Sequence, residues 1–218
     1  KDMGQENIYV WELDDNHLHE GEAAKVMADY FINENIRLSE PHEGKISLIA
    51  EVDGILNINK DILFKANTED DILITTGHSK SPIQKGEIIA GVRINPLVIE
   101  KSKIDRVDKI LSQAEIFSIK PFKNYKVGVV ITGSEIYEGR IEDKFLPTLK
   151  RKFKRWGGEL LDYRYVPDNT DEIKEALLEL KEKGAEILLT GGGMSVDPDD
   201  VTPAGIRKTK ANVVKYGV

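Results

Sequence analysis

Cysteine is absent from the 218-residue chain, and histidine is rare. The lack of cysteine excludes disulfides, thiolate metal ligands and cysteine nucleophiles. All four histidines lie in the first half, so chemistry in the second half would rest on carboxylates, hydroxyls and backbone amides. No apolar run approaches the roughly 20 residues of a membrane span, and no signal peptide is visible. These absences favour a cytoplasmic protein without a membrane segment.

The charge balance limits the classes of ligand. The formal net charge is −7 and the pI is about 5.3, which argues against a nucleic-acid partner because such proteins usually present a broad basic surface. An anionic ligand would therefore have to be held locally, by backbone amides, a metal ion or a few basic side chains. The length fits one large or two modest domains. Because the chain begins with Lys1 and ends directly after its last predicted strand, we expect a fragment of a longer protein.

The second half, residues 122–218, alternates strand and helix patterns. Apolar segments typical of buried parallel strands occur at residues 125–132, 159–166, 185–190 and 211–216. Apolar residues at helical spacing predict helices at residues 141–156, 170–183 and 202–209. This order implies an α/β domain with three layers around a parallel sheet, and ligands at the carboxyl ends of the strands. We expect strand residues on both faces to be buried, among them Val127, Val129, Ile131, Leu188 and Leu189.

The first half predicts a small β-rich module with an N-terminal helix over residues 1–100. Residues 45–59 alternate as strands on both sides of Asp53-Gly54, a dipeptide that favours a hairpin. Ile104 and Val107 have helical spacing within residues 101–121, which predicts a linker helix. His17 and His19 alternate as metal ligands on one strand face would, although polar residues are also routine just before a helix.

The most informative segment is Thr190 to Thr202, which reads TGGGMSVDPDDVT. Consecutive glycines let backbone amides approach a bound anion, and the aspartates that follow can hold a divalent cation. Thr202 followed by Pro203 is a good helix start. The segment predicts a cradle for a Mg²⁺-bound phosphate, with a tight, acid-rich strand-to-helix turn as the alternative.

Three loops follow successive predicted parallel strands and should therefore meet at one rim. The candidate site residues on them are Thr132, Gly133, Ser134, Glu135 and Asp143 in the first loop, Asp168 in the second, and Thr190, Gly191, Gly192, Gly193, Met194, Ser195, Asp200 and Thr202 in the third. Jointly they predict a site for a phosphate ligand. The alternatives are a turn or cap role for Asp168 and a first-turn acid role for Asp143. The basic residues of the 141–156 helix are expected to form mainly a solvated face.

Assembled in this order, these pieces resemble the molybdopterin-binding domain of molybdenum-cofactor biosynthesis proteins. The matching motifs are Thr132-Gly133-Ser134-Glu135, Glu142-Asp143-Lys144, Val166-Pro167-Asp168, and the segment from Thr190 to Pro203. The resemblance runs from Tyr125 to the terminus. The family also has a later Leu-Pro-Gly-type loop and further strands, so the resemblance implies a domain truncated at its C-terminal end. The first half is similar to the module that precedes this domain in a group of bacterial molybdopterin-binding proteins.

The resemblance implies molybdopterin as ligand or substrate, Mg²⁺ as the metal, and ATP as co-substrate if the reaction is adenylyl transfer. In adenylyltransferases the functional carboxylates lie in a VPD-like and a DVT-like turn, which correspond to Asp168 and Asp200. These two would be the catalytic residues and Mg²⁺ ligands, in either Mg-ATP-dependent adenylyl transfer or molybdate insertion. The Gly-Gly-Met-Ser-Val run is more similar to the molybdenum-inserting branch.

Two alternatives stay open. One is a non-catalytic protein that binds molybdopterin or a nucleotide for regulation. The other is a nucleotide pyrophosphatase of the competence-damage-inducible type, although its usual Gly-Leu-Gly-Pro-Thr run is absent here. In each case the expected partners are a small-molecule pterin or nucleotide. Because relatives form dimers or trimers, the resemblance also implies a homo-oligomer.

Overall fold

The structure, a computed structural model, describes residues 14–194 and 200–215. The chain divides into two compact units, with the boundary between Pro121 and Phe122. Among the described residues, none of the helices combines the length and the apolar character that a bilayer crossing requires.

The described part of the first unit is rich in short strands. These are β1 (His17–His19), β2 (Ile36–Leu38), β3 (Ile46–Ala50), β4 (Gly54–Ile58), β5 (Ile72–Thr76), β6 (Pro82–Ile83), β7 (Ile88–Ile94), β8 (Val98–Glu100) and β9 (Phe117–Pro121). The helices are α1 (Glu20–Asp29), α2 (Lys60–Asn67) and α3 (Lys101–Leu111). All strand pairs are antiparallel, in sheets of order β2-β3-β7-β5, β6-β4-β9 and β1-β8. Phe31 and Phe117 meet edge-to-face in the shared core, with 5.1 Å between ring centroids.

The prediction of a hairpin at Asp53-Gly54 is wrong. The flanking strands belong to different sheets, because β3 pairs with β2 and β7 whereas β4 pairs with β6 and β9. Gly54 serves a close approach between strands: a Cβ atom there would lie 2.4 Å from the carbonyl oxygen of Lys120 on β9. The glycine therefore marks tight strand packing rather than a two-residue turn.

The helix predicted as a linker is α3, and it is part of the first unit. Its residues Ile104, Val107 and Leu111 are at most 3% exposed and join the core that includes α1. A helix whose apolar stripe is buried in this way is a core element. The following strand β9 pairs with β4, so both α3 and β9 belong to the first unit.

The second unit is an α/β domain, as the strand and helix alternation predicts. Its strands β10 (Tyr125–Thr132), β11 (Gly158–Val166) and β12 (Ile187–Gly191) form a parallel sheet of order β11-β10-β12. The described helices are α4 (Ser134–Tyr137), α5 (Phe145–Trp156), α6 (Thr170–Glu182) and α7 (Thr202–Lys208). Asn169 caps α6, because its side chain accepts hydrogen bonds from the backbone amides of Asp171 and Glu172.

Helices cover both faces of this sheet and give it three layers. On one face, α5 and β10 contribute Leu146, Leu149, Val127, Val129 and Ile131 to a shared core. On the other face, α6 packs with the sheet through Ile173, Leu177, Leu180, Val130 and Val166. Alternate residues of β10 thus point to opposite layers, which explains why its sequence is apolar throughout.

Two strand residues are less buried than predicted. Val127, Val129 and Ile131 are at most 3% exposed, but Leu188 and Leu189 are only half-buried. In the described part of the chain β12 pairs with β10 alone, so it lies at an edge of the sheet and has a neighbouring strand on one side only. Residues 211–215, predicted to belong to a fourth strand, form no strand, and position 216 lies outside the described residues.

Candidate functional site

The carboxyl ends of the three parallel strands meet at one rim. In the sheet register Thr132 at the end of β10 is opposite Val166 of β11, and Ile131 is opposite Gly191 of β12. The sheet order places β10 in the centre. The connection from β10 leads to β11 on one side, and the connection from β11 leads across to β12 on the other side. Such a switch in strand order opens a crevice at the strand ends, where α/β proteins bind their ligands.

A cavity of about 680 Å³ lies at this rim. It is lined by Thr132, Gly133, Ser134, Glu135, Ile136, Ile141, Asp168, Gly193, Asp200 and Val201. The structure therefore brings together residues from all three predicted loops. No lysine or arginine is among these described lining residues, whereas three carboxylates are. An anionic ligand here would need a cation or backbone amides to offset the acidic side chains.

Asp168 joins the second loop to the first. Its Oδ2 accepts hydrogen bonds from the backbone amide of Ser134 at 2.9 Å and from the Ser134 hydroxyl at 3.1 Å. The Ser134 amide is the first of helix α4, so the carboxylate satisfies a donor that has no partner within the helix. This contact fits the capping alternative, and it also fixes one wall of the cavity.

A buried pair of hydroxyls joins the first loop to the third. The Oγ1 atoms of Thr132 and Thr202 lie 2.9 Å apart, and both residues are at most 2% exposed. Thr132 Oγ1 also donates to the carbonyl oxygen of Gly191 at 3.4 Å. Because buried hydroxyls are costly unless they are hydrogen-bonded, this pair fixes the start of α7 against the end of β10.

Glycine is required in the third loop by close approach and backbone conformation together. Gly192 has φ +98°, and a Cβ atom there would lie 2.2 Å from the carbonyl oxygen of Thr132. Gly193 has φ +54°, and its Cβ atom would lie 2.6 Å from Thr202 Oγ1 and 3.6 Å from Asp168 Oδ1. A side chain at either position would displace the rim. Gly191 lies in β12 beside them.

Asp143 does not line the cavity. Its carboxylate accepts hydrogen bonds from the backbone amides of Phe145 and Leu146 and from the hydroxyl of Tyr165 at 2.9 Å. Burial, together with the hydrogen bond to Asp143, raises the pKa of Tyr165 to about 12. The geometry fits the alternative in which Asp143 is an acid at the start of α5.

Two further candidates point elsewhere. Thr190 lines a separate cavity of about 380 Å³, whose walls come from α6, β12 and α7. This follows from the strand alternation, because neighbouring residues of β12 face opposite layers. Met194 is 54% exposed and is not among the lining residues. Ser195 lies outside the described residues.

The sequence did not single out the apolar wall of the cavity. Ile136, Ile141 and Val201 line it beside the polar groups. Ile141 falls within the helix predicted at residues 141–156, but α5 begins only at Phe145 and Ile141 is 57% exposed. The available signal was Asp143, whose capping position marks the true helix start and leaves Ile141 in the preceding loop.

The described residues contain no group of three or more histidine or acidic side chains placed to hold a metal ion. Any Mg²⁺ at the rim would therefore be shared between few carboxylates, substrate phosphate and water, which is how proteins commonly hold this ion. The histidine pair has structural roles: His17 Nδ1 lies 2.6 Å from Asp14 Oδ1, and His19 caps α1.

Comparison with known proteins gives a match in the second unit. A family model described as "Probable molybdopterin binding domain" matches residues 128–216. This match covers most of the second unit and confirms the resemblance found in the sequence.

Individual relatives match only part of their own length. The molybdopterin molybdenumtransferase of Haemophilus influenzae is 27% identical over 135 residues, which cover 58% of this chain and 31% of the relative. A CinA-like protein of Mycobacterium tuberculosis is 31% identical over 77 residues, which cover 35% of this chain and 18% of the relative. The chain thus spans about a third or less of the length of these curated relatives. Among solved structures, the tungsten cofactor synthesizing protein MoaB from Pyrococcus furiosus is 30% identical, with a TM-score of 0.37, over 39% of this chain and 52% of that one.

Proposed function

We propose that the rim cavity of the molybdopterin-binding domain holds the phosphate end of molybdopterin. The observation that carries this proposal is the convergence of the glycine loop, hydroxyl groups and carboxylates from three strand ends on one cavity. Gly193 lets the loop backbone lie close to Thr202 and Asp168, since a Cβ atom there would come within 2.6 Å of Thr202 Oγ1. Backbone amides of such a loop are suited to phosphate oxygens.

We further propose that Asp168 and Asp200 act through Mg²⁺. The cavity has carboxylates and no lysine or arginine among its described lining residues, so a phosphate ligand would be repelled unless a cation came with it. Oδ2 of Asp168 accepts both hydrogen bonds that Ser134 donates, whereas Oδ1 of Asp168 lies on the side of Gly193. Mg²⁺ bound by these carboxylates would neutralise charge on the reacting phosphates.

The reaction we propose is either adenylyl transfer or molybdate insertion. In adenylyl transfer a phosphate oxygen of the pterin forms a bond to the α-phosphorus of ATP, and pyrophosphate leaves. The residues of the rim would align the two anions and exclude other geometries, which is the main protein contribution to such transfers. The similarity to a molybdenumtransferase supports insertion as the second form of the same proposal.

The experiment is to incubate the protein with molybdopterin, Mg-ATP and molybdate and to identify the products by mass. An adenylylated pterin or a molybdenum-bearing pterin distinguishes the two reactions. Asp168→Asn and Asp200→Asn should each lower turnover by about 100-fold or more, since charge stabilisation is lost. Asn at position 168 keeps an oxygen that can accept from the Ser134 amide, so melting should shift little.

Asp168→Ala is the matched control for the capping role. It removes the acceptor as well as the charge, and we expect about 1 kcal/mol less stability. If both Asn variants retain full turnover, these aspartates have no part in the reaction. If molybdopterin binds but no product forms with any substrate, the result favours the alternative of a binding or regulatory role over turnover by this chain.

A nucleotide pyrophosphatase is a second candidate, favoured by the similarity to CinA-like proteins. Hydrolysis of a nucleotide diphosphate bond without molybdopterin would support it and would contradict pterin chemistry. The cytoplasmic location and the homo-oligomer expected from the sequence stay predictions.

A further inference from the structure

The outward face of helix α5 is cationic over its last two turns. Five of its residues are exposed and basic: Lys150, Arg151, Lys152, Lys154 and Arg155. At 3.6 residues per turn Arg151, Lys154 and Arg155 lie opposite the buried Leu146 and Leu149, and Lys150 and Lys152 flank them. Within residues 150–155 the charged side chains of the helix are therefore all positive.

Several cations elsewhere in the second unit have carboxylate partners. Arg164 pairs with Asp162 and Glu179, Lys183 pairs with the same two acids, and Lys208 pairs with Asp171. Within the described ranges 14–194 and 200–215, none of the five α5 cations forms such a pair. In a chain of net charge −7 this leaves a local positive potential that an external anionic group would neutralise.

Aromatic rings hold two of these cations in place. The Lys150 ammonium lies 5.4 Å from the ring centroid of Tyr163, and the Arg155 guanidinium lies 4.6 Å from that of Trp156. Arg151 Nη2 donates to Thr148 Oγ1 at 3.1 Å on the same helix. Side chains that are already ordered lose less conformational entropy when they bind a partner. Arginine beside tryptophan or tyrosine is also the composition of energetic centres in protein interfaces.

An apolar groove adjoins the cationic face. It has a volume of about 340 Å³, and Lys152 of α5 lies on its border with Lys123. Its apolar walls include Tyr125, Leu149, Phe153, Trp156, Ile187 and Leu189. The shared Lys152 makes the groove and the cationic face continuous.

We propose that this surface, the five α5 cations with the adjoining groove, docks an acidic polypeptide segment that carries a hydrophobic anchor residue. Carboxylates of the segment would pair with the cations, and the anchor would fill the groove. A nucleic acid fits less well, because five cations in under two helical turns offer few phosphate contacts. A membrane fits less well, because the apolar face of α5 is already buried in the core.

The test measures binding of a fluorescein-labelled peptide of about twelve residues, roughly half of them glutamate with one central phenylalanine. Fluorescence anisotropy with the whole chain at low salt gives the affinity. The variant Arg151→Glu/Lys154→Glu should bind at least about tenfold more weakly. The control Lys60→Glu/Lys65→Glu, on the exposed side of α2, changes the net charge by the same amount and should leave affinity unchanged. Affinity should also fall between about 50 and 200 mM salt.

Peptide variants test the groove separately. Replacing the central phenylalanine by alanine should weaken binding several-fold, and replacing glutamates by glutamine should abolish it. The proposal is overturned if the two protein variants lose affinity equally, since net charge alone would then explain binding. It is also overturned if a DNA duplex or vesicles of phosphatidylserine and phosphatidylcholine bind more tightly than the peptide. Sedimentation that shows a dimer broken by the α5 variant would instead assign the surface to a second copy.

Discussion

The interior of the parallel sheet and its carboxyl-end rim use the same three strands, but they are specified differently. Interior residues such as Val129 and Val130 are fully buried between helices, and cores tolerate other apolar side chains of similar volume. At the rim, Thr132 and Thr202 are hydrogen-bonded to each other, and Gly192 approaches the Thr132 carbonyl so closely that a methyl group would clash. The interior therefore sets stability, whereas the rim sets the position of individual atoms for a ligand.

The largest expected effect comes from a cavity in the interior. Leu180 on α6 is fully buried against Val130, Val166 and Leu177. Leu180→Ala should lower the free energy of unfolding by about 2–5 kcal/mol, because a cavity remains where the side chain was. Urea denaturation measures this loss. Molybdopterin affinity per folded molecule should stay unchanged, because Leu180 is not among the described residues that line the rim cavity.

Leu188→Ala on the edge strand β12 is the matched control. Leu188 is only half-buried, so the same truncation should cost clearly less than at Leu180. Equal losses at both positions would show that β12 is covered on both sides in solution, and the contrast between central and edge strands would then be wrong.

The next effect comes from the rim. Gly192→Ala places a Cβ atom 2.2 Å from the Thr132 carbonyl oxygen in a residue with φ +98°. We expect a cost of about 1–3 kcal/mol from backbone strain, and a loss of molybdopterin affinity of at least about tenfold, since a shift of 1.4 kcal/mol in binding is tenfold. Calorimetric titration measures the affinity and thermal unfolding measures the stability.

Gly184→Ala separates strain from site geometry. Gly184 has nearly the same φ, +96°, but a Cβ atom there would meet nothing within 4 Å. This variant should lose stability through strain and keep its affinity. Equal affinity in both variants would contradict the role of the third loop in binding.

The two units differ in how far the sequence predicts them. In the second unit, an apolar run, an Asn169 cap and a closing glycine are local signals, and a parallel sheet forces its strand ends to meet. The position of the rim therefore follows from the sequence pattern alone. In the first unit the partner of β4 is β9, about 60 residues later. No local sequence signal encodes that pairing, whereas the Asp53-Gly54 dipeptide is a local signal that predicts a hairpin.

Within the site, residue type was more predictable than residue orientation. Asp168, Asp200 and Ser134 line the cavity, but Thr190 on the edge strand faces the opposite layer. Periodicity gives this alternation only once the register of the strand is fixed. The same limit applies to Ile141, because its helical spacing with Phe145 did not reveal that α5 begins at the Asp143 cap.

Replacing Asp143 tests whether this residue contributes to the stability of the interior or to ligand binding at the rim. Asp143→Ala removes the acceptor for two amides at the start of α5 and should cost about 1 kcal/mol, with little change in ligand affinity. The pKa of Tyr165 should also fall from about 12, but not fully to its ordinary value, because burial is the larger cause of the shift. Ultraviolet titration of the variant, compared with Tyr165→Phe, measures this pKa. A large loss of affinity with normal stability would return Asp143 to the ligand site.

The smallest effect concerns the ion-pair network on the outside of the sheet. A hydrogen bond from Lys183 is the main cause that holds the pKa of Asp162 at about 2, and one from Arg164 is the main cause that holds the pKa of Glu179 at about 2. A carboxyl whose pKa is lower in the folded state stabilises the fold above its unfolded pKa of about 4. That stabilisation is lost as the pH falls through about 2. Because the Asp162 side chain is 32% exposed and that of Glu179 is 46% exposed, solvent screens the gain.

We therefore expect urea unfolding of the wild type to show a gradual loss of stability as the pH falls from about 4 towards 2. Glu179→Gln should reduce the size of this loss and start from lower stability at neutral pH. Glu175→Gln, on the exposed side of the same helix and without an ion-pair partner among the described residues, is the control and should leave the pH dependence intact. The difference between the two variants should shrink at about 1 M salt, where surface charges are screened within about 3 Å. If instead Glu179→Gln changed ligand affinity, the separation between the outer surface and the rim would fail, because this network and the cavity share no residue.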